Sequence, residues 1–547
     1  MNNALRLSNT APARYVSHDR KEGAGIVWGM QKRSSPAAVA IVAAALLSAL
    51  PLWLVNFPAM PDYPAHLASY YVIAGGDKAP ALASFYRVEW AFLPNLAGEI
   101  VVPLLSKLTG LELAARLFVS AAVAMWVIGP ALVHRALYGR IGVAPLLGAF
   151  FAYNANFMWG FLNYYFAMGL AFLVFAAWIA IRPRRSVLHL AGFALAATVV
   201  YFCHLFALAT LLLLIVSYEA AAPAGRQGEA PREALKRAAG VAIMFLPSAL
   251  AFLFLRPGGG DNGIEFNLFE TGLDRIDSAI QAGFDNPAYV LLALLTILLA
   301  VGAWRGWAVF HRRMIAALGV LALVTLLAPE WAMGGWGVDL RLPAVLGALA
   351  FASVEFRLER SALLALGAAA LAVLGYNSAV LARTWRAYDR QFAEFRHAVH
   401  ALPPGRRLLT VLDGDAMGFE SDQPYWHMAE FAILDPGAFT PLMFTTKGQH
   451  IVQLQPPYRS IAAASAEQGS PPDISELDDL AAGRTQDDED IAEVFPYLVH
   501  FQCHYDEAIV IDLDGPRSPA PPMLRLRQAG SFFAIYDVLP DSACGKG

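Results

Sequence analysis

Apolar runs of about 18 to 25 residues recur along this chain, and a run of that length is what an α-helix needs to cross the hydrocarbon core of a membrane. The chain has 547 residues, of which 57% are hydrophobic and 15% are charged. Ordinary soluble domains carry about 25% charged residues. The sequence therefore predicts a mainly α fold, a polytopic membrane helix bundle.

The apolar runs predict about eleven membrane spans. Their approximate limits are 36–57, 112–138, 142–155, 158–182, 187–202, 203–221, 236–256, 286–305, 311–329, 338–356 and 361–384. The run at 142–155 is short for a span, and the run at 187–221 must be split to form a hairpin.

Lysine and arginine residues predict the orientation of these spans, because inner loops are enriched in both. The predicted inner loops carry arginines such as Arg140, Arg184 and Arg313, whereas the predicted outer loop at 258–286 holds six acidic residues and only Arg275. This pattern places the N-terminus in the cytoplasm. An odd number of spans then places the C-terminal part outside, in the periplasm if the membrane is a bacterial inner membrane.

The resulting domain organisation has three parts. Residues 1–35 are predicted to be a disordered cytoplasmic tail, residues 36–384 a transmembrane domain with a long first outer loop at 57–111, and residues 385–547 an extracytoplasmic α/β domain. Short β-branched runs at 406–413, 450–455, 507–514 and 532–539 predict strands in this last part. It also holds Cys503 and Cys544, whose pairing an outer location would permit.

Several function classes lack their sequence signals. The chain contains no P-loop, no GxGxxG or HExxH motif and no paired CxxC. No basic patch interleaved with aromatic residues occurs, which excludes nucleic acid as a predicted partner.

The segment "PDYPAHL" opens the first outer loop, and it has two possible interpretations. Asp62 and His66 are four residues apart, so a helix would place both on one face. A carboxylate and an imidazole so placed could act as a base and its partner, or as two metal ligands. Alternatively, Asp62 caps the helix, Pro64 fits the first turn and His66 lies at the interface.

Arg341 of "GVDLRLP" stands at the outer end of the tenth predicted span. A guanidinium there could bind a phosphate with two hydrogen bonds. The alternative is an ion pair with Asp339 or Glu330 that anchors the helix end.

Two further residues on the predicted outer side are candidates for substrate binding. His204 lies near the third outer turn, where it could bind a ligand or form a helix–helix hydrogen bond. Glu265 belongs to the acidic, glycine-rich loop at 258–286, which is a solvated loop or a mobile lid.

A first span, a long outer loop opening with an acidic motif, many further spans and an outer α/β domain resemble the GT-C class of membrane glycosyltransferases. These enzymes, such as protein O-mannosyltransferases and lipid A aminoarabinose transferases, use sugars linked to polyprenyl phosphate. "MPDYPAHLASYY" stands where the acidic motif of the class would be, and Asp62 matches its acidic position. The adjacent acidic pair common in the class is absent, since Asp62 is followed by Tyr63.

The resemblance implies a transferase that moves a sugar from a lipid-phosphate donor to a glycan, lipid or protein acceptor at the outer face. Asp62 would take the proton of the acceptor, His66 would orient Asp62, and Arg341 would stabilise the leaving phosphate. Asp339, Glu330, His204 and Glu265 would complete the substrate site. The class implies no organic cofactor and leaves room for a divalent cation, although no metal ligands are assigned here.

Two other functions compete with a glycosyltransferase. A transporter would place charged or broken helices at the midplane and often shows an internal repeat, whereas the span centres here are almost free of charge. A non-catalytic assembly or sensor protein would use the outer domain and keep "PDYPAHL" and "DLRLP" as scaffolding.

Overall fold

The computed structural model describes residues 36–181, 186–221, 230–255, 263–267, 274–281, 288–413, 423–463, 469–482, 495–512, 522–541 and 544. The predicted N-terminal tail at 1–35 and most of the acidic loop at 258–286 lie outside these ranges.

Helices dominate the part of the chain before residue 401. They are α1 (Pro36–Ala49), α2 (Tyr63–Ile73), α3 (Pro80–Ala83), α4 (Ala97–Thr109), α5 (Leu111–Tyr138), α6 (Ala144–Gly148), α7 (Ala155–Trp159), α8 (Leu162–Ile181), α9 (Val187–Cys203), α10 (Leu205–Ala220), α11 (Ala230–Ala242), α12 (Leu246–Phe254), α13 (Asp274–Asp277), α14 (Tyr289–Arg305), α15 (Arg312–Leu327), α16 (Pro343–Ala352) and α17 (Arg360–His400). The described residues after these form the short helices α18 (Phe431–Leu434), α19 (Ile474–Ala482) and α20 (Phe501–His504).

Five helical segments in the described ranges are long and apolar enough to cross a membrane. They are Pro36–Trp53, Leu111–Tyr138, Leu162–Ile181, Arg232–Phe254 and Arg360–His400. Shorter apolar helices, α9, α10 and α14, accompany them. The predicted split of the run at 187–221 is confirmed, because the chain is extended at His204 between α9 and α10.

Two predicted spans differ from the structure. The run at 142–155 forms only α6 and a 3₁₀ turn, and the run at 338–356 forms a 3₁₀ turn and the ten-residue α16. These short helices pack against each other in the centre of the bundle, where a Cβ on Gly148 would lie 3.3 Å from the carbonyl of Ala348. Hydropathy does not separate such buried short helices from full spans, because both are apolar on every side.

Helix α17 runs well beyond residue 384, where its apolar run ends. Its later turns stay helical because Trp385, Phe392 and Phe395 recur at helical spacing and are buried. On the same stretch, the carboxylate of Asp389 accepts the backbone N–H of Phe57 at 2.9 Å. One continuous helix therefore joins the bundle to the C-terminal domain.

In the part of the chain that the structure describes, ten strands form four small sheets. They are β1 (Tyr86–Val88), β2 (Ile264–Glu265), β3 (Ala308–Phe310), β4 (Trp331–Ala332), β5 (Val354–Phe356), β6 (Leu408–Leu412), β7 (Val452–Leu454), β8 (Glu507–Ile511), β9 (Leu524–Ala529) and β10 (Phe533–Val538). The C-terminal sheet has the order β6-β8-β10-β9, with β6 and β8 parallel and the other pairs antiparallel.

All four strands predicted in the C-terminal part are confirmed, and β9 was missed because only Leu524 of it is buried. Helix α19 lies between β7 and β8, and residues 483–494 lie outside the described residues. Cys503 and Cys544 form a disulfide.

The C-terminal domain is attached to the first outer loop by a two-stranded sheet. Strand β1 of that loop pairs antiparallel with β7, with Arg87 opposite Gln453. Helix α4 follows β1 in the same outer loop. The pairing holds α2 beneath the C-terminal domain, which positions the site described next.

Candidate active site

A cavity of about 590 Å³ lies between one end of the helix bundle and the C-terminal domain. Six of the predicted site residues line it: Asp62, His66, His204, Glu265, Glu330 and Arg341. The other wall comes from the C-terminal domain, from segments around 426–427, 442–450, 463 and 469–470. The structure thus brings together residues from five distant parts of the chain.

Asp62 precedes α2, but its carboxylate makes no capping hydrogen bond. The prediction that this side chain caps the helix is therefore wrong. Its backbone N–H donates to the carbonyl of Trp159 at 3.1 Å. Gly160 allows this close approach, since a Cβ there would lie 3.3 Å from the Cβ of Asp62 and the residue has φ +87°.

The charged group next to the Asp62 carboxylate is His427, from the C-terminal domain. Nε2 of His427 lies 3.9 Å from Oδ1 of Asp62, and its Nδ1 lies 3.6 Å from Oε1 of Glu430. Burial raises the pKa of Asp62 to about 6, against the opposing charges of His427 and Arg341. Burial opposes protonation of His427, but Glu430 and Asp62 outweigh it and raise the pKa of His427.

His66 lies on the same helix and also lines the cavity. Its ring meets Phe444 edge to face at 5.1 Å, and its Nδ1 has no hydrogen-bond partner among the described residues. Burial, reinforced by the charges of His450 and His427, lowers the pKa of His66 to about 3. His66 is therefore a neutral imidazole, and its predicted pairing with Asp62 remains untested.

Arg341 ends a 3₁₀ turn, and its relative exposure is only 7%. Its Nη2 donates to the carbonyl of Trp336 at 3.0 Å, whereas its Nε and Nη1 have no hydrogen-bond partner in the described part of the chain. The guanidinium lies 4.8 Å from the ring centre of Phe206 and 5.4 Å from that of Phe161. These rings hold a cation in a cavity while leaving two of its donors available.

Four tryptophans, Trp159, Trp331, Trp336 and Trp426, line the same cavity. Trp159 lies edge to face with Trp336 at 5.0 Å and with Trp426 at 5.9 Å. Glu330 accepts a hydrogen bond from Nε1 of Trp336 at 3.1 Å. A broad aromatic wall next to carboxylates is suited to a polar molecule that has apolar ring faces.

Glu265 and His204 occupy the rim and the floor of the cavity. Glu265 is exposed and lies on β2, which pairs with β4 next to Glu330. His204 accepts the N–H of Phe206 at its Nδ1, 3.2 Å away, and thus caps α10. This cap is a structural role that neither sequence interpretation of His204 included.

Asp339 is the one predicted site residue outside the cavity lining. Its Oδ2 lies 3.3 Å from Nε of Arg275, and both side chains are buried. The predicted ion pair of Arg341 with Asp339 or Glu330 is thus replaced by an Arg275–Asp339 pair. Within the described ranges, no group of three His, Cys, Asp or Glu side chains could hold a metal ion.

Sequence reasoning missed the residues that the C-terminal domain contributes, above all His427 and Glu430. The segment "WHMAEFAILDPGAFTPLMFTTKGQH" that carries them also supplies Gln449, which donates to the carbonyl of Gly334 at 2.9 Å across the cavity mouth. A His and a Glu three residues apart were the available signal. Nothing in the spacing indicates that the pair faces Asp62.

The fold and the site together define a polytopic membrane helix bundle whose C-terminal α/β domain closes a polar, aromatic-lined cavity at one end of the bundle. No family model matches the chain, and no curated protein matches it. Among solved structures, ArnT from Cupriavidus metallidurans in the apo state is 13% identical, with a TM-score of 0.45, over 91% of this chain and 98% of that chain. The same protein bound to undecaprenyl phosphate is 14% identical, with a TM-score of 0.44, over 93% and 98%. The function of this chain therefore has to rest on its own residues.

Proposed function

We propose that the chain is a membrane glycosyltransferase that moves a sugar from a lipid-phosphate donor to an acceptor hydroxyl at the outer face of a bacterial inner membrane. The observation that carries the proposal is that Asp62 and Arg341 line the same cavity. Arg341 is buried and has two N–H groups without a hydrogen-bond partner among the described residues. A buried guanidinium whose Nε and Nη1 make no hydrogen bond is stabilised when an anion binds it, and phosphate matches its geometry.

The reaction follows from the charges of the two residues. The acceptor oxygen attacks the anomeric carbon of the sugar, its proton passes to the Asp62 carboxylate, and the bond from that carbon to the phosphate oxygen breaks. The electron pair of this bond leaves on the phosphate, whose added negative charge Arg341 stabilises. Because the pKa of Asp62 is about 6, the carboxylate is ionised near neutral pH and still basic enough to take a proton.

An apolar cavity of about 680 Å³ supports a lipid donor. It is lined by residues of α4 and of the segment before it, and of the ends of α8 and α9, including Phe92, Ile100, Phe166 and Phe202. Phe202 is two residues before His204 of the first cavity, and Leu96 follows Asn95, which also lines that cavity. A prenyl chain in the apolar cavity would bring its phosphate toward Arg341.

The remaining residues select and hold the substrates in this proposal. The tryptophan wall packs on the sugar ring, Glu330 and Glu265 accept hydrogen bonds from its hydroxyl groups, and His66 contacts the acceptor near Asp62. The Cys503–Cys544 disulfide is consistent with a C-terminal domain in an oxidising compartment, as the predicted orientation requires.

The test uses purified protein and a panel of undecaprenyl-phosphate-linked mannose, glucose and aminoarabinose. We expect one donor to bind and, with an extract of envelope lipids and glycans added as the acceptor, to release undecaprenyl phosphate, and we expect Asp62→Asn and Arg341→Ala to abolish that release. Asp77→Asn, in the same outer loop but outside the cavity, and Arg140→Ala, at the far end of the bundle, are the matched controls. Release that is unchanged in both site variants would remove Asp62 and Arg341 from the reaction and overturn the proposal, whereas a wild-type protein that cleaves none of the donors would favour a non-catalytic protein.

A further inference from the structure

The imidazole of His427 lies between two carboxylates, one at each ring nitrogen. Nε2 is 3.9 Å from Oδ1 of Asp62, which lines the cavity, and Nδ1 is 3.6 Å from Oε1 of Glu430, which does not. The side chain of His427 is 5% exposed and that of Glu430 is fully buried. The three residues therefore form a row that leads from the cavity into the interior of the C-terminal domain.

Glu430 is an expensive residue to bury at this position. Its Oε1 accepts a hydrogen bond from Thr440 Oγ1 at 3.3 Å, and its Oε2 has no partner in the described part of the chain. An uncharged residue at this position would cost less free energy to bury. A buried carboxylate next to an imidazole has one evident effect, which is to favour the imidazolium form.

We propose that His427 and Glu430 are positioning residues for Asp62: Glu430 keeps His427 protonated, and the imidazolium keeps the Asp62 carboxylate ionised and oriented as the base. The inference rests on the proposed role of Asp62. Two residues of the C-terminal domain would thus control the protonation state of Asp62, which belongs to the membrane domain. Contact between the two domains is then a condition for activity.

The surrounding groups agree with this assignment. Within the described residues, the charged groups that act on the titration of Asp62 and His427 include Arg341 and Glu430, and the histidines His66 and His450 line the same cavity. His66 and His450 stay neutral, since burial lowers their pKa values to about 3 and about 4. The cations near Asp62 are therefore His427 and Arg341, and His427 is the one whose charge depends on a second carboxylate.

The test measures how donor cleavage by the full-length protein depends on pH. In the wild type, release of undecaprenyl phosphate should fall as the pH drops through about 6, where Asp62 takes up a proton. In His427→Gln this fall should occur about one pH unit higher, a tenfold change in the ionisation equilibrium of Asp62. Glu430→Gln should shift it in the same direction, and His427→Lys should restore much of the wild-type profile because it returns a cation.

A matched control is His504→Gln, which changes a histidine of the same domain outside the cavity and should leave the profile unmoved. A purely structural role of His427 would lower the plateau rate and the thermal stability without moving the profile. That result, in a protein whose Asp62→Asn variant is inactive, would overturn the inference and leave the proposed function intact.

A second readout works without any activity. The infrared band of the Asp62 carboxylate, identified as the band lost in Asp62→Asn, should titrate near pH 6 in the wild type and higher in His427→Gln. If no donor is cleaved but this shift occurs, the proposed function fails and the electrostatic link stands. An unshifted band would overturn the link.

Discussion

Nε of Arg275 lies 3.3 Å from Oδ2 of Asp339, and Asp339 belongs to the same 3₁₀ turn as Arg341. Arg275 also donates to the carbonyls of Thr325, Leu326 and Ala328, at 2.6 to 3.3 Å. The arginine thus ties the end of α15 to the turn at 339–341. Arg341 itself remains without a carboxylate partner among the described contacts, which leaves it available to a ligand.

Removing the charge of Asp339 should therefore affect stability more than binding. In Asp339→Asn the buried Arg275 loses its counter-charge, and breaking a buried pair in this way costs about 3 kcal/mol. We expect a lower free energy of unfolding in detergent and unchanged donor affinity in the fraction that remains folded. Weak donor binding by a stable Asp339→Asn protein would instead support the substrate role predicted for Asp339.

Replacing Arg341 with lysine should weaken donor binding although the charge is kept. Lysine presents a point charge instead of a planar pair of donors, and it stacks less well on Phe206 and Phe161. We expect the dissociation constant for undecaprenyl phosphate to rise about tenfold, equivalent to ~1.4 kcal/mol. Arg140→Lys, which alters the Arg140–Glu355 ion pair at the far end of the bundle, should leave it unchanged. Equal affinities in the two variants would remove Arg341 from the phosphate site.

The sequence predicted that several of the residues that line the cavity lie on one side of the membrane, and the reason is topological. Alternating loop charge assigned Asp62, Glu265, Glu330 and Arg341 to one side of the membrane, and all four line one cavity. Residues at the helix ends on one side of a bundle lie close together, so the topology alone brings these four side chains near one cavity.

The rest depended on tertiary structure. His427 meets Asp62 only because β1 pairs with β7 and α17 continues to His400, and neither feature follows from local spacing. The lengths of α6 and α16 could not be predicted either, because burial inside the bundle and exposure to lipid favour the same apolar residues. Local patterns determine which segments are helices, whereas the partner of a buried charge depends on the whole fold.

Glu99 should make the stability of the protein depend on pH. It is buried at the start of α4, where its Oε2 accepts a hydrogen bond from Asn163 at 2.8 Å. Burial raises the pKa of Glu99 from an ordinary value of 4.5 to about 7. The folded state therefore binds a proton more tightly than the unfolded state does, and stability should fall as the pH rises from 4.5 through 7.

The variant Glu99→Gln isolates this effect, since glutamine stays neutral at every pH and keeps an oxygen for Asn163. We expect it to raise the free energy of unfolding at pH 8 by ~1–3 kcal/mol and to change it little at pH 4.5. The exposed Glu89, changed to glutamine, serves as the comparison. A Glu99→Gln protein that is less stable than the wild type at pH 8 would show that the ionised carboxylate is accommodated in the native state.

The Cys503–Cys544 disulfide links protein stability to the predicted orientation. It closes a loop with a sequence separation of 41 residues around β8, β9 and β10, and it holds the last described residue to α20. A crosslink over a loop of this length typically stabilises a domain by about 2–4 kcal/mol, so Cys503→Ser should lower the unfolding temperature of the C-terminal domain.

Such a bond forms and persists outside the cytoplasm and is rare within it. Mass spectrometry of the protein isolated from cells under thiol-blocking conditions should therefore find these two cysteines paired and Cys203, buried at the end of α9, as a free thiol. Two blocked thiols at positions 503 and 544 would place the C-terminal domain on the reducing side and reverse the predicted orientation.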